Sequence, residues 1–144
     1  MKLSRRARSS LCVAFAAAVV AAGAFSAPFL SLPAAHAAAA TCDVRYQVRD
    51  DWGAGATVDV TITDTGPAID HWVLAWTFPG NQRITNFWQT RLTQTGAAVS
   101  AANEVYNAGL PTNGNVAFGF QGTYTGTNAR PTDVRLGSVP CTVS

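Results

Sequence analysis

The sequence predicts an all-β fold, an antiparallel β-sandwich of immunoglobulin-like or jelly-roll-like kind with eight or nine short strands. Three observations carry that expectation. Apolar residues beyond position 41 recur with a period of two. Clusters of Gly, Asn, Thr and Pro separate the apolar segments, as at Gly53-Ala54-Gly55, Thr65-Gly66-Pro67 and Pro111-Thr112-Asn113-Gly114. Beyond the N-terminal segment no apolar stripe of helical spacing persists, so the layers have to be sheets.

The N-terminal segment is of another kind. Lys2, Arg5, Arg6 and Arg8 precede an apolar run over 11–25, and Ala35-His36-Ala37 follows. A basic start, an apolar centre and an A-x-A site make an export signal, so residues 1–37 are expected to be removed and 38–144 to form the mature domain, secreted to the cell exterior. The apolar run is too short and too rich in alanine to span a bilayer.

Val44, Tyr46 and Val48 alternate with Asp43, Arg45, Gln47 and Arg49, the pattern of a half-buried strand. Val58, Val60 and Ile62 repeat it, as do Val116, Phe118 and Phe120. Residues 72–78, Trp-Val-Leu-Ala-Trp-Thr-Phe, are apolar on both sides, as in a central strand, and Pro79-Gly80 ends them. Shorter strands are expected at 83–88, 91–94, 98–102, 134–136 and 139–143. Two cysteines remain in the mature part, Cys42 near its start and Cys141 near its end. In an oxidising compartment they are expected to pair, closing a loop of nearly a hundred residues and placing the two termini side by side.

Composition narrows the function. Without the signal, six basic residues stand against eight acidic ones, a net charge of −2, with no lysine and no basic run. Nucleic acid and anionic membrane are therefore poor partners. Catalysis needs a proton-transfer group, an activated nucleophile or a metal, and the mature part offers one histidine, His71, one glutamate, Glu104, and no spare cysteine. Asp50-Asp51 with Glu104 could be imagined as a glycosidase pair, but neighbours on a strand point to opposite faces, and a solvated turn entry is the simpler reading. Cleavage before His36 would leave an N-terminal histidine of the kind that copper polysaccharide oxygenases use, with His71 as a second ligand; the A-x-A rule instead puts cleavage after Ala37. No catalytic residue, cofactor or metal is expected.

The aromatic residues stand out. Trp72 and Trp76 lie two residues apart among Leu74 and Phe78 and read as core. Trp52 sits between Asp51 and Gly53, Trp88 closes a short strand before Gln89, and Tyr106 lies in a loop. Exposed large rings cost solubility unless they meet a ligand. Indole and phenol faces stack on the apolar C–H face of a pyranose, and a row of them would hold a flat polymer. The competing reading packs one or more of these rings beneath a loop.

The domain from Thr41 to Ser144 resembles a family 2 carbohydrate-binding module of the kind found on bacterial cellulases and xylanases. The resemblance rests on Cys42 with Pro140-Cys141-Thr142-Val143, Asp70-His71-Trp72-Val73-Leu74 leading to Thr77-Phe78-Pro79, Ile84-Thr85-Asn86-Phe87-Trp88, and Phe118-Gly119-Phe120-Gln121-Gly122 with Thr125-Gly126-Thr127-Asn128. It implies that Trp52, Trp88 and Tyr106 form a flat strip on one sheet face and that Asn86 and Gln121 hydrogen-bond sugar hydroxyls, with Asp50 and Asp59 as further candidates. Tyr106 stands where the family usually has Trp, and Ala117 where a glutamine is expected. Gly55, three residues after Trp52, resembles the cellulose-type branch rather than the xylan-type one. The implied partner is an insoluble β-1,4-glycan, cellulose first and chitin or xylan as alternatives, bound by a monomer. A secreted protein-binding or inhibitor domain is the alternative of another class.

Overall fold

The computed structural model describes residues 41–144, so the signal segment, the cleavage site and His36 lie outside the described residues. Ten strands form two five-stranded sheets. In chain order they are β1 Cys42–Asp51, β2 Gly55–Asp64, β3 Val73–Thr77, β4 Arg83–Trp88, β5 Arg91–Thr95, β6 Ala98–Ala102, β7 Asn115–Thr123, β8 Thr132–Leu136, β9 Val139–Pro140 and β10 Thr142–Val143. One sheet has the order β10-β1-β2-β7-β4 and the other β5-β6-β3-β8-β9. A single 3-10 turn, Val105–Asn107, interrupts the loop after β6.

Period-two patterning places the core. Val58, Val60 and Ile62 on β2 pair with Phe120, Phe118 and Val116 on β7, and the first two pairs are buried. Trp72 beside β3, with Leu74, Trp76 and Phe78, supplies the facing layer. Trp76 stacks on Phe118 and Phe120 with ring centres 6.2 and 6.0 Å apart, and Trp72 on Phe118 at 5.7 Å. Both tryptophans read as core are core. The disulfide Cys42–Cys141 is formed, with its Cα atoms 4.8 Å apart, and brings the domain's ends together.

Three expectations need correction. The final strand at 139–143 is two short strands in different sheets: β9 pairs with β8, whereas β10 pairs with β1 and runs parallel to it, the one parallel pair among the described strands. Pro140 has no N–H to continue a ladder, and the chain passes from one sheet to the other there. The apolar segment at 72–78 is covered on one face only: β3 is central in its sheet, but Val73 on its outer side is 44% exposed. Asp50-Asp51, exposed at the end of β1 beyond a bulge between Val48 and Asp50, leads into the Trp52 turn as the solvated turn entry expected of it. Val48, next to that bulge, is exposed despite its apolar alternation.

The edge strand β4 is partly covered from the other sheet. The Gln94 side chain of β5 accepts from the Ile84 N–H at 2.8 Å and donates to the Gln82 carbonyl at 2.8 Å. A side-chain amide thus takes the place of a neighbouring strand, which protects an edge from pairing with another chain and ties the two sheets together.

Candidate functional site

On β2, Ala56, Val58, Val60 and Ile62 face inward, so Gly55, Thr57 and Asp59 face outward. The register then lays cross-strand rows over the outer face of the first sheet. One row runs Asp50, Thr57, Gln121, Asn86 across β1, β2, β7 and β4. The row to one side contains Gly55, Thr123 and Arg83; the row to the other contains Gln47, Asp59, Gly119 and Trp88.

Trp52 and Trp88 lie over the two glycines of these flanking rows. A Cβ on Gly55 would come within 2.6 Å of the Trp52 ring, and one on Gly119 within 2.3 Å of the Trp88 ring. Both indoles therefore rest against bare backbone on the same face of the same sheet. Asp59, opposite Gly119, is four residues from Gly55 along β2, which puts the two platforms roughly 14 Å apart. Trp52 is 53% exposed and Trp88 half-buried.

The Trp52 turn is pinned from below. Its N–H bonds the Gly55 carbonyl at 3.1 Å. The preceding Asp51 carboxylate accepts from the Tyr124 hydroxyl, from the Gly53 N–H at 2.9 Å and from the Asn128 amide at 3.1 Å. These bonds hold the Asp51 carboxyl below the usual carboxylate range, the Tyr124 bond contributing most, and the same bond pushes the Tyr124 phenol up.

Between the indoles the face is polar. Asn86 and Gln121 are exposed and adjacent in register, and the Gln121 amide donates to the Thr57 hydroxyl at 3.2 Å. Asp59 is paired with Arg49 at 2.8 Å, and Asp50 and Ala117 are exposed on the same face. Tyr106 is 74% exposed on the 3-10 turn, and the next residue, Asn107, bonds the carbonyl of Gln89, which follows Trp88. None of the three rings packs beneath a loop as core residues do.

Sequence reasoning passed over Phe87, 43% exposed and opposite Phe120 in register, and Arg83, exposed in the Gly55 row. The alternation with Trp88 marks Phe87 as facing the other way, but only the position of β4 at the sheet edge leaves it uncovered. The Asp51–Tyr124 bond spans 73 residues and left no local signal.

Two indoles thus lie on one face of one sheet, with the exposed Asn86 and Gln121 between them. Comparison with known proteins gives the family. Residues 42–141 match the model of the cellulose binding domain family. The chain is 35% identical over 103 residues to Exoglucanase A of Cellulomonas fimi and 33% identical over 108 residues to Endoglucanase CelA of Streptomyces lividans, which covers 71% and 74% of this chain. It spans only 12% and 24% of the lengths of those relatives. Among solved structures it is similar to the chitin-binding domain of Chi18aC from Streptomyces coelicolor, with a TM-score of 0.58 and 27% identity over 70% of this chain and 94% of that one. It is also similar to the cellulose-binding family 2 carbohydrate binding domain from ScLPMO10C, with a TM-score of 0.51 and 28% identity over 70% of this chain and 97% of that one. The chain belongs to the family of cellulose binding domains.

Proposed function

We propose that this domain is a secreted, monomeric, non-catalytic module that binds the flat surface of an insoluble β-1,4-glycan, with crystalline cellulose as the ligand. The observation that supports this reading is the pair of indoles lying on Gly55 and Gly119 of one sheet face. Stacked on a pyranose, each indole would remove an apolar sugar face from water, and each contact contributes about 0.5–1.5 kcal/mol beyond the area term. Tyr106 serves as a third, smaller platform, and Asn86 and Gln121 hydrogen-bond sugar hydroxyls between the indoles. Asp50 and Asp59 border the same row.

The disulfide and the N-terminal signal pattern support a location outside the cell. His71 is exposed before β3. The bridge found among the described residues joins the domain's ends instead of bracing a loop, which favours glycan binding over an inhibitor role.

Chitin is the second reading, supported by the similarity to a chitin-binding domain. A pull-down of the mature protein on crystalline cellulose, chitin and insoluble xylan tests the choice. Retention strongest on cellulose is expected; retention on chitin alone would move the assignment, and retention on none would end it.

A further inference from the structure

Resting on that reading, we infer that Asn107 is a positioning residue that holds Tyr106 in one fixed arrangement against the chain behind Trp88 before any glycan arrives. The 3-10 turn bearing Tyr106 has no buried residue of its own, and Val105 and Tyr106 are 92% and 74% exposed. Apolar packing therefore does not fix it. Polar bonds do, and most of them converge on Asn107.

Its side-chain oxygen accepts from the Glu104 N–H at 2.7 Å, and its N–H donates to the Glu104 carbonyl at 3.3 Å, which closes the turn. Its carbonyl accepts from the Trp72 indole N–H at 2.9 Å, and Trp72 is 1% exposed and stacked on Phe118. Its side-chain amide donates to the Gln89 carbonyl at 2.8 Å. Gln89 follows Trp88 directly and has φ of 62°, a left-handed conformation that a non-glycine residue adopts at a cost and keeps when its surroundings hold it. One side chain thus ties the loop carrying the phenol to the tail of the strand carrying an indole, and its main chain ties both to the core.

A flat, rigid ligand rewards such an arrangement. A ring already held in place does not lose its freedom on binding, so the ordering cost falls on folding instead of on association. Without the Asn107 amide the turn is free to move against Gln89, and Tyr106 would have to be ordered at each encounter.

The test is a binding isotherm on crystalline cellulose for the mature protein and its Asn107→Ala, Tyr106→Ala and doubly substituted variants. Asn107→Ala is expected to weaken binding between about two- and twelve-fold, the factor associated with immobilising one side chain. In the Tyr106→Ala background it is expected to add almost nothing, because it acts through that ring. Backbone order parameters for 104–107 should fall from about 0.85 toward 0.6 or below. Asn107→Asp, which keeps the acceptor for Glu104 and loses the donor to Gln89, covers the case in which the alanine variant does not fold, and should show the same loss in smaller degree. Unchanged affinity, or an equal loss with and without Tyr106, would overturn the inference. Absence of binding by the unsubstituted protein would instead refute the cellulose reading on which it rests.

Discussion

Adding one methyl group at Gly119 should separate the two indoles in height. An ideal Cβ there would sit 2.3 to 2.5 Å from three atoms of the Trp88 ring, whereas carbon atoms rest at about 3.5 to 4.0 Å. The ring must lift by roughly 1.2 to 1.7 Å, while Trp52 on Gly55 stays where it is. A flat crystal face can then touch one ring but not both. Losing one stacked face of about 100 Å², roughly half of an aromatic side chain's area, forfeits about 2.5 kcal/mol of area burial and about 0.5 to 1.5 kcal/mol of aromatic contact, about 3 to 4 kcal/mol together, on the order of a 150- to 900-fold drop in affinity. Gly119 is the cleaner probe of the two glycines, because a Cβ on Gly55 would also strike the Gly122 carbonyl at 2.6 Å. Depletion isotherms of Gly119→Ala on crystalline cellulose read the effect, with thermal unfolding as the check on the fold. A folded Gly119→Ala protein with undiminished affinity would refute the claim that flatness of the two rings carries binding.

Other expectations concern stability. Trp72→Ala should cost about 3 to 5 kcal/mol in urea unfolding, because it empties the space against Phe118 and removes the donor to Asn107. Reducing the Cys42–Cys141 bridge reopens a loop of 99 residues and should destabilise the domain by about 4.7 kcal/mol in the chain-entropy view, read as a lower melting temperature in reductant. Asp51 has a carboxyl held below its ordinary value, so its contribution to stability is present above the unfolded pKa of about 4 and is lost as pH falls through the lower folded value. Melting temperatures taken downward from pH 5 should therefore fall less steeply for Asp51→Asn than for the unsubstituted protein.

Much of this fold was legible because one physical rule governs it. Strands that bury one face must alternate, and Val58-Asp59-Val60-Thr61-Ile62 does so without interruption. Trp52 and Trp88 were legible for the converse reason: each interrupts apolar logic with a large ring beside Asp51 or Gln89. Their supports were not. Gly119 lies far along the chain from Trp88, and nothing local distinguishes it from a glycine that merely fits a strand. Register across β4 and β7 is what brings them together. The division of the last strand depended on which sheet each half reached first, a tertiary choice that Pro140 permits but does not dictate. Val73 is likewise exposed because, among the described residues, no third layer lies over β3, whereas the sequence records only that the residue is apolar.

Retention of the Trp52→Ala and Trp88→Ala proteins on crystalline cellulose, each compared with the unsubstituted domain at matched circular dichroism, bears most directly on the stacking account. Loss of retention by both, with the β-sheet spectrum intact, is the predicted result. Retention equal to that of the unsubstituted domain in both folded variants would contradict it.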